Sequence, residues 1–163
     1  MLTRGKIETE KLAYAAALLE CEGSLTVSRG GKWKTVSLHI SIANTDKRLV
    51  DFLQETFGGN IYAEAPRGLS KRLIYRWKIF SNQAVEFLRL VRPYMRIKTK
   101  QADLGIAMQD ARHEKRFSFQ EAEYFWQTMK ALNRGESPAE TKRENAETNL
   151  RCDSPTLAET PVS

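Results

Sequence analysis

The chain is short of the features that would place it in several common classes. It has two cysteines, Cys21 and Cys152, which are too few and too far apart for a disulfide framework or a cysteine zinc site. Its two histidines, His39 and His113, form no metal-ligand spacing and no His-Asn-His pattern, which disfavours a histidine-metal nuclease. The longest unbroken apolar run, Leu12 to Leu19, has eight residues, far below the roughly 18 to 20 a bilayer span requires. The first 25 residues carry Glu8 and Glu10 ahead of that run and no small-residue cleavage site after it, so neither a secretory signal nor a transit peptide is expected. An intracellular protein, cytoplasmic or organellar, is the expectation, with both cysteines as free thiols.

Charge is what the chain has. Its 163 residues hold 26 Lys and Arg against 20 Asp and Glu, a net charge of +6. Residues 134–163 contain three of the five prolines, no aromatic residue, four basic and six acidic side chains, and read as a polar, partly disordered tail. Residues 1–133 therefore carry a net charge of +8 and form one domain of ordinary size. An excess of that size on a small domain favours a polyanionic partner, because each neutralised phosphate releases counterion.

Hydrophobic periodicity predicts an α+β chain. Residues 8–21 read as a helix that stops at Gly23, apolar all round from 12 to 19 and rich in alanine at 13, 15, 16 and 17, so close packing on every side is expected. Residues 24–28 and 33–42 alternate as two strands joined through Arg29, Gly30, Gly31 and Lys32. A second helix spans 46–57 and stops at Gly58-Gly59, and a second strand pair covers 60–64 and 73–80. Ser81 and Asn82 are expected to cap a third helix that Pro93 ends, followed by helices over 98–112 and 118–133.

On the strands the apolar residues share one face. The other shows Ser24, Thr26, Ser28, Ser37, His39, Ser41, Tyr62, Arg76 and Lys78, with Lys32, Lys34, Arg67, Ser70 and Arg72 in or beside the connecting loops. Hydroxyls and cations on a β-ribbon can read base edges in a major groove and hold phosphates. Alternation by itself also describes any solvated strand face.

The nonamer Ala15-Ala16-Ala17-Leu18-Leu19-Glu20-Cys21-Glu22-Gly23 resembles the signature of LAGLIDADG homing endonucleases, a helix ending in an acidic residue before glycine. Leu, Gly and both Asp of that signature are here Ala, Ala, Glu and Glu. The similarity extends over residues 8–133 through the paired strands, Asn44-Thr45-Asp46, the turn Gly58-Gly59-Asn60-Ile61, the stretch from Pro93 to Gln101, and Met129-Lys130-Ala131-Leu132-Asn133.

The resemblance implies an αββαββα fold, with a saddle-shaped antiparallel sheet over helices, and a homodimer whose motif helices meet through Ala15, Ala16 and Leu19. It implies a metal-dependent endonuclease cutting double-stranded DNA at a long pseudo-palindromic site. Glu22 and the backbone carbonyl of Cys21 would hold Mg²⁺ or Mn²⁺, with Lys98 beside the scissile phosphate. Two residues of helix rotate a side chain about 200°, so Glu20 and Glu22 of one chain cannot reach one ion, whereas two copies of Glu22 can. The polar residue that such proteins place on the second strand falls on Ile42, with Ser41 or Asn44 as substitutes. The alternative is a relative that binds DNA or intron RNA, an RNA maturase for example, without cleaving.

Overall fold

The computed structural model describes residues 7–30, 36–66, 72–114 and 117–136. The elements run α1 (Thr9–Glu22), β1 (Gly23–Arg29), β2 (Val36–Asn44), α2 (Lys47–Phe57), β3 (Asn60–Glu64), β4 (Ile74–Phe80), α3 (Ser81–Val91), a 3-10 turn (Arg92–Tyr94), α4 (Thr99–Glu114) and α5 (Phe119–Arg134). The four strands form one antiparallel sheet in the order β1-β2-β4-β3. This is the αββαββα order read from the sequence, with two further helices.

Strand alternation decides which face is covered. Leu25, Val27, Val36, Leu38, Ile40, Ile42, Trp77 and Ile79 are buried against the helices, and register fixes them opposite one another, with Leu25 facing Ile40 and Ile42 facing Trp77. At the centre, Phe87 of α3 meets the ring of Phe57 at 4.9 Å and that of Trp77 at 5.3 Å, both edge to face. Trp77 is fully buried, and its indole N–H donates to the carbonyl of Gly58 at 2.7 Å, so the large ring leaves no unmet donor.

That contact explains the Gly58-Gly59 turn. Both glycines have positive φ, +73° and +92°, and a Cβ on Gly59 would lie 2.6 Å from Ile79 Cγ2 and 2.9 Å from the Lys78 carbonyl. Asp46 caps α2 by accepting from the Arg48 amide at 3.0 Å. Ser118 and Glu121 close a reciprocal capping box on α5. Among the described residues no helix is long and apolar enough to cross a membrane.

Three expectations are corrected. The first is that α1 is covered all round. Ala15, Ala16, Leu18 and Leu19 are buried, but Ala13, Ala17 and Cys21 are exposed and Tyr14 is half exposed. Positions 13, 17 and 21 fall on a single helical face, and all three are exposed.

The second follows from the first. Ala15, Ala16 and Leu19 have no accessible surface and sit in the chain's own core, so they cannot form a subunit interface. The resemblance that pointed to them could not tell the inner face of an alanine-rich helix from the outer one, because alanine suits both. The third concerns α3. Its N-cap is Phe80 and no side chain caps it, while Ser81 begins the helix with φ +47°.

Candidate nucleic-acid interface and acidic helix end

The uncovered face of the sheet is where the predicted binding residues meet. Register sets Ser24 opposite Ser41, Thr26 opposite His39, Ser28 opposite Ser37, and Lys78 between Ser41 and Asn60. Ser24, Thr26, His39, Ser41, Arg76 and Lys78 line one shallow trough across the strands. Ser28 Oγ lies 2.9 Å from His39 Nε2, and Ser37 Oγ lies 2.9 Å from Ser81 Oγ. Burial, reinforced by the charge of Lys78, pulls the His39 imidazole below its ordinary value of 6.5 and favours the neutral ring. Arg72 is exposed just before β4. Lys32, Lys34, Arg67 and Ser70 lie outside the described residues.

Four features of this face were not singled out from the sequence. Glu64 of β3 grips Arg76 through both carboxylate oxygens, at 2.6 and 3.0 Å, while Arg76 also donates to Ser41 Oγ at 3.3 Å. Phe80 continues the row of Arg76 and Lys78 and packs edge to face on His39 at 4.8 Å. Lys78 stands 5.1 Å from the ring of Tyr62. Beyond β1, α5 brings Trp126, Lys130, Asn133 and Arg134 beside Thr26 and Val27.

There Arg29 lies over Trp126 at 3.6 Å and pairs with Glu123 at 2.6 Å. The period-two pattern of β4 contains Phe80, so that residue was within reach of sequence reasoning. The meeting of α5 with β1 joins residues about a hundred positions apart and left no local signal.

At the end of α1 the chain turns straight from helix into strand. Gly23 makes this possible, since a Cβ there would lie 2.7 Å from the carbonyl oxygen of Leu19 and 2.9 Å from its Cα. Glu22 and Cys21 are exposed at this end, and among the described residues nothing bonds the Glu22 carboxylate. Lys98, partly buried just before α4, sends Nζ to the carbonyl oxygens of Leu19 at 3.0 Å and Gly23 at 2.5 Å.

A cation capping the last carbonyls of a helix is favourable, and it offsets two carboxylates placed where the helix dipole opposes them. Burial pulls the Lys98 ammonium below its ordinary value, against the opposing influence of Cys21 and Glu20. Burial also pushes the Glu20 carboxyl up, but amide hydrogens from Ile97, Arg96 and Lys98 together with the Lys98 charge outweigh it and hold Glu20 below the usual carboxylate range.

The structure therefore brings Lys98 to the turn that carries Glu22. Ile42 lies in the core opposite Gly23 and offers no polar group, Ser41 belongs to the trough, and Asn44 Oδ1 accepts from the Asp46 amide at 2.8 Å. Among the described residues no group of three or more His, Cys, Asp or Glu is gathered that could hold a metal ion. At this turn, among the described residues, Glu22 is the carboxylate without a bond, an oxygen donor of the type that suits a hard divalent cation but short of a full ligand set.

No protein-family model matches the sequence, and no curated protein matches it. Solved structures do. The homing endonuclease I-CvuI, in complex with the I-CreI target, is 15% identical with a TM-score of 0.61, over 76% of this chain and 82% of that one. The group I intron-encoded homing endonuclease I-CeuI complexed with DNA is 17% identical with a TM-score of 0.56, over 78% and 69%.

The LAGLIDADG homing endonuclease I-LtrWI bound to target DNA is 20% identical with a TM-score of 0.56, and 96% of this chain covers 54% of it. At such identities the likeness establishes architecture. The chain has the fold of the LAGLIDADG homing endonucleases.

Proposed function

We propose that this protein is a site-specific DNA endonuclease that binds a long pseudo-palindromic target as a homodimer and hydrolyses both strands with a divalent metal ion. The single observation that carries the reading is the convergence at the end of α1, where an exposed Glu22 and the Lys98 ammonium share one turn at the border of a polar, basic sheet face. The shared fold adds support, since the solved neighbours include homing endonucleases complexed with DNA.

The sheet face supplies binding. A twisted antiparallel ribbon enters a major groove, where Ser24, Thr26, Ser28, Ser37, His39 and Ser41 offer short donors and acceptors to base edges, and Arg76 and Lys78 reach bases or phosphates. The open stripe Ala13, Ala17 and Cys21 supplies the dimer contact, because small side chains let two helices approach closely about a two-fold axis. Protein symmetry would then be mirrored in the target.

A second copy also supplies what one chain lacks, since it brings a second Glu22 to the same seam. Glu22 would hold the metal ion, Mg²⁺ or Mn²⁺, with the Cys21 carbonyl as a further oxygen donor and the Cys21 thiol excluded as too soft a ligand. Such an ion polarises phosphate and lowers the pKa of bound water. Lys98 places a positive charge where charge develops on the phosphate, held in position before the substrate arrives.

The test is incubation of the purified chain with its intron-insertion-site DNA and Mg²⁺, with Glu22→Gln and an EDTA control alongside. Double-strand cleavage that both controls abolish is the expected result. Tight binding without cleavage would instead assign a binding or maturase role, and no binding would overturn the reading.

A further inference from the structure

The two acidic residues of the motif helix point to separate tasks. We infer that Glu20 is a positioning residue that clamps the segment carrying Lys98 to the end of α1. One carboxylate oxygen, Glu20 Oε1, takes the amide hydrogens of three successive residues, Arg96, Ile97 and Lys98, at 2.7, 2.6 and 3.1 Å. Successive amides turned toward one point make an anion-binding concavity, and here a carboxylate of the same chain, 76 to 78 residues away, fills it.

The grip is reciprocal. The Lys98 side chain returns to α1 and donates to the carbonyl oxygens of Leu19 and Gly23, which flank the acidic pair. Lys98 is thus tied at both ends to one helical turn, its amide by the Glu20 carboxylate and its ammonium by backbone carbonyls.

Lys98 also accepts the first intrahelical bond of α4, from the Ala102 amide at 3.0 Å, so the clamp sets where that helix starts. A long, flexible lysine stem is costly to hold in one place, and anchoring its own backbone is the direct way to fix its tip. Glu20 Oε1 is taken up by these amides and the residue is only partly exposed, whereas Glu22 is exposed and is the carboxylate that faces outward.

The catalytic consequence rests on the endonuclease reading, whereas the clamp itself does not, so two readouts separate them. Amide hydrogen exchange at Arg96, Ile97 and Lys98 is measured on the full chain without DNA. Single-turnover cleavage and target affinity are measured with Mg²⁺.

Glu20→Ala is expected to speed exchange at the three amides by at least about tenfold and to slow cleavage by about 10- to 100-fold with affinity held within about twofold. Glu20→Gln keeps an oxygen acceptor at the same reach and is expected to restore the protection and most of the rate. Should the alanine variant fail to fold, the glutamine variant decides alone.

Unchanged exchange in Glu20→Ala would overturn the clamp. Loss of cleavage in Glu20→Gln as complete as in Glu22→Gln, with the amides still protected, would overturn the positioning role and make Glu20 a metal ligand. If the unmodified protein cleaves nothing, the endonuclease reading fails while exchange still decides the clamp.

Discussion

Glu64 holds Arg76 in a two-pronged grip on the uncovered face of the sheet, Nε to Oε1 at 2.6 Å and Nη2 to Oε2 at 3.0 Å. Both side chains keep about 30% of their surface exposed, and such pairs contribute roughly 0 to 1 kcal/mol, so a phosphate or guanine edge can compete for the guanidinium. Glu64→Gln is expected to tighten DNA binding by about three- to tenfold at low salt and to steepen the salt dependence by about one charge. Fluorescence anisotropy over a salt series checks both.

Glu22 faces outward from the fold, so its replacement disturbs no packing. Glu22→Gln is expected to lower cleavage at least about a hundredfold, with thermal stability and target affinity nearly unchanged. Gel-based cleavage, calorimetry and a binding isotherm on the same preparation separate these quantities. A parallel loss of affinity would place Glu22 in binding instead.

The exposed stripe of α1 is where a second copy is expected. Ala17→Glu puts a charge at its middle, next to the same charge from the partner, without touching the buried Ala15, Ala16 and Leu19. Sedimentation should show a folded monomer in place of a dimer, and cleavage should fall with dimer content. A dimer that survives would move the contact elsewhere.

Asp46 supplies a pH marker. The side-chain bond from Arg48, then the Arg48 amide, hold its carboxyl at about 2 against an ordinary 3.8. A depressed carboxyl stabilises the fold above its unfolded pKa, and that contribution fades as pH falls through the folded value. Carbon-detected NMR titration should give a midpoint near 2, and Arg48→Ala should raise it toward 3.8.

Gly59→Ala tests the turn beneath Trp77. Its φ of +92° and the Ile79 methyl 2.6 Å from an added Cβ together predict a loss of about 2 to 3 kcal/mol in urea unfolding. A loss below about 0.5 kcal/mol would mean that the turn relaxes freely.

How much of this could be read in advance depended on the range of each interaction. Strand alternation fixed the two faces of the sheet, because a one-residue slip would turn Leu38, Ile40 and Ile42 toward solvent. Asp46 and the paired glycines 58 and 59 marked the ends of α2 through local backbone chemistry. The inner and outer sides of α1 were not legible, since its run of alanines carries almost no amphipathic contrast. Nor was the partner of Glu20, which accepts from amides more than seventy residues away, nor the grip of Glu64 on Arg76, which depends on which strands become neighbours.

One covered margin of the sheet governs how the molecule can meet its own kind. Along β1, α5 lies where another strand could have added, with Asn133 Nδ2 on the carbonyl of Leu25 at 2.8 Å and Arg29 bound to Glu123 and Trp126. The other margin, β3, has only five residues. Edge-to-edge growth of sheets, the usual hazard of open β structure, therefore has one blocked terminus and one short one. In the homodimer proposed above, self-recognition would fall to helical surfaces, where it can stop at a closed pair instead of running on as a fibre.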